Sequence, residues 1–223
     1  MSAAPDVLIV GGGVIGCAIA HYLGKAGARV AIVERRRIAE EASWASAGLI
    51  SPPKLTAHGI EHARLEARSF GLYPALLDEL REFTGLGVEH HRSGRLSVAR
   101  DEGEVANLEE TIPWQRNLGF AVEWLDGDTI RREEPALGPA ILGGVWCAAV
   151  SSLRAHRLTA ALARSARQRG ATIREHTPVE GFLTAGSRVL GVRTARGEIR
   201  AGTTVVATGA WTAGLGALLD LPL

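Results

Sequence analysis

Two short, unbroken apolar runs open the chain, Val7-Leu8-Ile9-Val10 and Val30-Ala31-Ile32-Val33. Each reads as a strand. Between them lie Gly11-Gly12-Gly13-Val14-Ile15-Gly16 and a helical stretch from Val14 to Ala26, and the second run closes on Glu34. The predicted order is strand, glycine turn, helix, strand, acid. Residues 38 to 53 are rich in small side chains and end in Pro52-Pro53, which predicts a loop or short helix lying close to a ligand.

Farther along, Leu65, Phe70, Leu72, Leu76, Leu77, Leu80 and Phe83 recur at helical spacing between Ile60 and Leu86, predicting one or two amphipathic helices. Strands are predicted over 94–99, 122–125 and 141–149, and helices over 105–118 and 126–134. The second of these helices is capped by Asp126 or Asp128 and stopped at Pro135. A helix follows over 156–169, with Leu158, Leu162 and Ala166 on one face, then a strand over 172–175. A hairpin of 179–183 and 189–194 and a last strand over 203–207 complete the pattern. The βαβ rhythm holds at both ends and lapses in the middle. That divides the chain into a nucleotide fold, residues 1–55 and 151–223, interrupted by an inserted α+β domain, residues 56–150.

The glycines carry specific chemistry. Gly11 permits a tight turn, Gly13 lets the backbone approach a pyrophosphate, and Gly16 lets the helix pack on the strand. The helix beginning at Val14 aims unpaired amides at phosphate. Glu34 lies 18 residues beyond Gly16 and is placed to accept hydrogen bonds from ribose hydroxyls. A 2′-phosphate would be repelled there, so NADP is disfavoured although Arg35, Arg36 and Arg37 follow. The strand ending at Ala207 meets Thr208-Gly209-Ala210-Trp211, small residues where a doubly wound sheet touches its ligand.

Composition narrows the classes further. Of 223 residues 46% are hydrophobic and 22% charged, which suffices for a sizeable core. The 25 basic and 24 acidic residues leave a net charge of +1, so no global field favours nucleic acid or an anionic membrane. The basic residues comprise 23 Arg and 2 Lys, a skew read as coding bias. Cys17 and Cys147 follow no metal or redox spacing and are expected to be buried and inert. No apolar run reaches membrane-spanning length and no signal peptide is recognised, so a cytoplasmic protein is expected. His90-His91 and the pair His58 and His62 lack the partners of a metal site and read as solvated positions. Arg131, Arg132, Glu133 and Glu134 read as a solvated helix face.

Taken together, Val7 to Gly16, Glu34, the stretch Ala42 to Leu49, His176-Thr177-Pro178-Val179 and Val205 to Trp211 resemble the FAD-dependent D-amino acid oxidase superfamily. Within it the chain is most similar to the glycine oxidases of thiamine biosynthesis. The resemblance implies an α/β, Rossmann-like FAD-binding fold of three layers (ββα) with an inserted α+β substrate domain. It places backbone around Val14 and Ile15 on the pyrophosphate, Glu34 and Arg35 at the adenosine ribose, and Ala42 and Ser43 at the phosphates. Ala47, Gly48 and Leu49 fall on the flavin side, Val179 at the adenine, and Ala207, Thr208 and Gly209 beneath the dinucleotide. Trp44 and Trp211 read equally as packing residues and as cofactor contacts.

The implied reaction is hydride transfer from the α-carbon of a small amino acid or amine to flavin. The imine formed hydrolyses, and oxygen takes the electrons as hydrogen peroxide. A dehydrogenase using another acceptor and a dinucleotide-binding module are the alternatives, and a homo-oligomer is compatible with either. Members of the superfamily continue beyond the equivalent of Leu223, where they carry a carboxylate-binding arginine, an active-site tyrosine and a final loop. The C-terminal part of the fold is therefore expected to be missing, and no catalytic residue is assigned within the 223 residues. In Val150 to Ala155 the chain departs from the superfamily, whose members carry an acid or amide and a proline there.

Overall fold

The computed structural model describes residues 4–53 and 59–219. The elements in order are β1 (Val7–Val10), α1 (Val14–Lys25), β2 (Val30–Val33), α2 (Ala42–Ala45), β3 (Leu49–Ile50), α3 (Gly59–Thr84), β4 (Arg95–Ala99), α4 (Glu102–Asn117), β5 (Val122–Asp126), α5 (Gly127–Glu133), β6 (Gly143–Cys147) and β7 (Ser151–Ser152). They continue with α6 (Ala155–Gln168), β8 (Thr172–Arg174), β9 (Val179–Ala185), β10 (Arg188–Thr194), β11 (Gly197–Arg200) and β12 (Thr203–Val206). A 3-10 turn at Gly209–Trp211 leads into the short α7 (Thr212–Gly216). The chain falls into two compact units. The first comprises Met1–Ala47, Asp78–Val88 and Arg154–Leu223, the second Gly48–Leu77 and Glu89–Leu153.

In the first unit a parallel sheet runs in the order β12-β1-β2-β8. Val7 to Val10 are flanked in register by Val30 to Val33 on one side and Thr203 to Val206 on the other. The unbroken apolar runs have a physical cause, because both faces of this sheet are covered. Leu8, Val10, Ala31 and Val33 turn one way and pack with Val192 and Ile199 of the antiparallel sheet β11-β10-β9. Alternation sends Ile9 and Ile32 to the opposite face, where α1 and α6 lie. Both are fully buried, and each such side chain contributes about 1.5–3 kcal/mol of transfer free energy. Helix, parallel sheet and antiparallel sheet make the three layers that the resemblance implies.

In the second unit an antiparallel sheet in the order β4-β6-β5 carries α4. Its core is Ile112, Val122, Val145, Cys147 and Val150. A two-stranded pair, β3 with β7, joins Leu49 and Ile50 to Ser152 and Ser151.

The differences from the sequence reading are local and have physical causes. The stretch between Ile60 and Leu86 forms a single helix, Gly59–Thr84, with Pro74 inside it. Helix α4 starts three residues earlier than the apolar pattern suggests, because Asp101 caps it by accepting from the Glu104 amide at 2.8 Å. The strand at 141–149 shortens to Gly143–Cys147. The hairpin gains a third strand, Gly197–Arg200, where only Ile199 is buried, so a single apolar residue left no run to detect. Asp126, not Asp128, caps α5 through the Thr129 amide at 2.8 Å.

Candidate functional site

At the carboxyl ends of β1, β2 and β12 the first unit encloses a cavity of about 660 Å³. Its wall is made from the glycine turn and first residues of α1, the segment from Val33 to Ser43, the turn Thr177–Val179, and the segment from Val206 to Leu215. This is the place where an open α/β sheet binds ligands, because the strand ends and the helix N-terminus converge on it.

The glycine turn is shaped by two different demands. Gly11 has φ +112°, and a Cβ there would overlap the Ala207 carbonyl oxygen. The close approach lets Ala207 donate its amide to the Val10 carbonyl at 2.8 Å, which brings the end of β12 against the turn. Gly13 differs, with φ −74° and only Ser43 Oγ, at 3.4 Å, near the position of a Cβ. Its bare side opens on the cavity. Gly16 lies behind the turn, where a Cβ would strike the Gly11 carbonyl oxygen, so its role is helix-on-strand packing.

Glu34, though charged, is buried. Its Oε2 accepts from the Gly12 amide at 2.7 Å and its Oε1 from the Arg36 amide at 2.8 Å. A carboxylate offers roughly four acceptor positions, so about two remain for a ligand. Ser43 on α2 accepts the Val14 amide at 3.0 Å, satisfying one of the first-turn donors that a helix cannot satisfy internally. Arg35 and Arg36 both pair with Glu41, at 2.6 and 3.2 Å. Arg35 also lies 4.1 Å from the ring centroid of Trp211. Trp44 stacks on His156 at 4.5 Å, holding α2 to α6.

Of the residues singled out from the sequence, Gly11, Gly13, Val14, Ile15, Glu34, Arg35, Ala42, Ser43, Val179, Ala207, Thr208 and Gly209 line this cavity. Ala47 is exposed and is not among the lining residues. Gly48 and Leu49 belong to the second unit. There Gly48 sits at φ +68° against the Leu153 carbonyl, and Leu49 edges a smaller groove with Phe70 and Tyr73. Sequence reasoning missed Gly12, Ala39 and Thr177 as lining residues. The first stands inside the glycine run and the last precedes Val179 by two residues, so proximity to the motifs was the available signal. Ala39, at φ +66°, had none.

His58 lies outside the described residues. His91 joins the Ser152 backbone through a bridge, at 2.8 and 2.9 Å, and no metal-holding group of three His, Cys, Asp or Glu occurs among the described residues. Among them no helix is long and apolar enough to cross a membrane. Cys17 and Cys147 are free and buried. Burial pushes the Cys17 thiol up to about 12, helped by the Glu34 charge. One polar cluster was not legible in the sequence. His21 is fully buried on α1, with Nδ1 2.9 Å from Ser165 Oγ and Nε2 3.8 Å from Glu79, which also binds Lys25 and Arg169.

The family model described as FAD dependent oxidoreductase matches residues 6–223. The chain belongs to this family. Glycine oxidase from Geobacillus kaustophilus (strain HTA426) is 35% identical over 219 residues, which is 98% of this chain and 58% of that protein. Glycine oxidase from Pseudomonas aeruginosa (strain PAO1) is 35% identical over 218 residues, again 58% of its length. The crystal structure of the Geobacillus kaustophilus enzyme superposes with a TM-score of 0.90, covering 100% of this chain and 60% of that one. The chain thus spans little more than half the length of these relatives.

FAD is the cofactor of the family, and the cavity suits a dinucleotide. The bare side of Gly13 faces into it, α1 presents its N-terminus, and Glu34 keeps acceptor positions beside its two backbone bonds.

Proposed function

We propose that the chain is the cofactor-binding part of a flavin-dependent oxidase acting on the C–N bond of a small amino acid, with glycine as the first substrate, in thiamine biosynthesis. The observation that carries this reading is the 35% identity to a glycine oxidase across 98% of the chain, joined to a cavity built from the same motifs.

In this reading the first-turn amides of α1 hold the pyrophosphate, with Ser43 beside them. Glu34 orients the adenosine ribose while fixing the glycine turn through Gly12. Val179 meets the adenine through its backbone, and Ala207, Thr208 and Gly209 form the floor. Ala47, Gly48 and Leu49 are assigned to the flavin side. Bound FAD supplies the hydride acceptor. Transfer needs the substrate α-carbon within about 3.5 Å of it, a requirement met by groups that clamp the substrate carboxylate.

The test is the visible spectrum of the purified chain after incubation with FAD and desalting, followed by anaerobic glycine, then sarcosine or D-alanine. A retained flavin band that bleaches supports the oxidase, and peroxide formed under air separates it from a dehydrogenase using another acceptor. A retained band that none of these amines bleaches makes the 223-residue chain a cofactor module. Absence of a band overturns cofactor binding by this chain.

A further inference from the structure

The contacts around the cavity form a continuous strap. Trp211 follows β12 and lies under the Arg35 guanidinium at 4.1 Å. Arg35 follows β2 and reaches Glu41 at 2.6 Å. The Glu41 carbonyl accepts from Trp44 and Ala45 at 2.9 and 3.2 Å and so begins α2, the helix that carries Ser43. Ser43 in turn accepts the Val14 amide at the start of α1. Three chain segments distant in sequence are tied together around one ligand-sized space.

The indole does not behave as a core residue. Trp211 is 43% exposed, borders the cavity, and gives a ring face to a cation. A guanidinium with an aromatic face on one side and a carboxylate on another has few orientations left, so little entropy remains to be lost when a ligand contacts it. Arg35 is a lining residue at the Glu34 end of the cavity.

We propose that Trp211 is a positioning residue for the adenosine diphosphate half of the dinucleotide, acting through Arg35. The inference rests on the dinucleotide reading given above. Trp211 sets where the Arg35 charge stands, and Glu41 holds that charge from the other side.

The experiment is calorimetric titration of the 223-residue chain with ADP and then with FAD, in wild type, Trp211→Leu, Trp211→Phe, Arg35→Met and Trp211→Leu/Arg35→Met. Leucine keeps apolar bulk without a π face, so Trp211→Leu weakens ADP binding about tenfold, while Trp211→Phe keeps most of the affinity. In the Arg35→Met background the leucine substitution costs nothing further, because the path runs through the guanidinium. An unchanged ADP affinity in Trp211→Leu, or losses that simply add in the double variant, overturns the proposal. Should Trp211→Leu fail to fold, Glu41→Gln decides. It loosens Arg35 without touching the indole, and an unchanged ADP affinity there overturns the strap. Wild type binding FAD with unaffected variants sinks the strap alone. Wild type binding neither ADP nor FAD sinks the dinucleotide reading as well.

Discussion

Glu34 accepts the amide hydrogen of Gly12 at 2.7 Å, joining the end of one parallel strand to the turn that follows its neighbour. The acid expected to meet a ribose therefore also fixes the shape of the glycine turn. Glu34→Ala leaves the Gly12 and Arg36 amides without their acceptor and is expected to cost about 1–3 kcal/mol in urea unfolding. Glu34→Gln keeps one acceptor oxygen and sets its NH₂ against the other amide, so its loss is smaller. Equal stability of all three proteins would contradict the dual role.

Gly11 and Gly13 are two residues apart but are demanded by different things. Gly11→Ala adds a methyl into the Ala207 carbonyl at φ +112°, and a destabilisation of about 1–3 kcal/mol or more is expected. Gly13→Ala meets only Ser43 Oγ at 3.4 Å, so its thermal midpoint stays near that of wild type while FAD binding falls. Paired thermal melts and FAD titrations check the contrast.

The His21 cluster predicts a pH dependence of stability. Burial holds His21 below its ordinary value of 6.5, and the nearby Glu79 carboxylate offsets only part of this against the Arg169 and Lys25 cations. Below that value the unfolded chain binds a proton that the folded chain refuses. Stability is therefore complete above the unfolded pKa and falls as the pH drops toward the folded one, with a slope of at most about 1.4 kcal/mol per pH unit from this group. Urea midpoints between about pH 5 and about pH 7.5 should fall less in His21→Gln than in wild type.

Cys17 gives a chemical check on the first layer of the fold. Its thiol, fully buried and raised to about 12, presents almost no thiolate at neutral pH. Thiol reagents should label neither cysteine in the native protein and both in denaturant. Labelling of Cys17 under native conditions would mean that α1 is not seated on the sheet as described.

The first βαβ unit was readable because its signals are local. Val7–Val10, the glycine turn and Val30–Val33 each announce themselves within a few residues, and the helix between the two strands is the crossover that parallel pairing needs. The strand Gly197–Arg200 was not readable, having one buried residue, Ile199, that acquires a purpose only beside Val192. The start of α4 shows a third case, since the cap at Asp101 was present in the sequence and its apolar pattern, beginning later, obscured it.

For the site, twelve of the sixteen residues drawn from the sequence line one cavity. Turn chemistry and strand ends marked the glycine turn, Val14, Glu34 and Ala207 to Gly209, whereas Ile15, Arg35, Ala42, Ser43 and Val179 came from the resemblance alone. What the residues do to one another was decided only by the fold. That Glu34 braces Gly12, that Ser43 serves Val14, and that Arg35 rests on Trp211 across 176 positions of chain are long-range contacts. Local pattern encodes which way a side chain turns from its own backbone. Which distant partner it then meets depends on how sheets and helices pack, and that information exists only once the chain has closed upon itself.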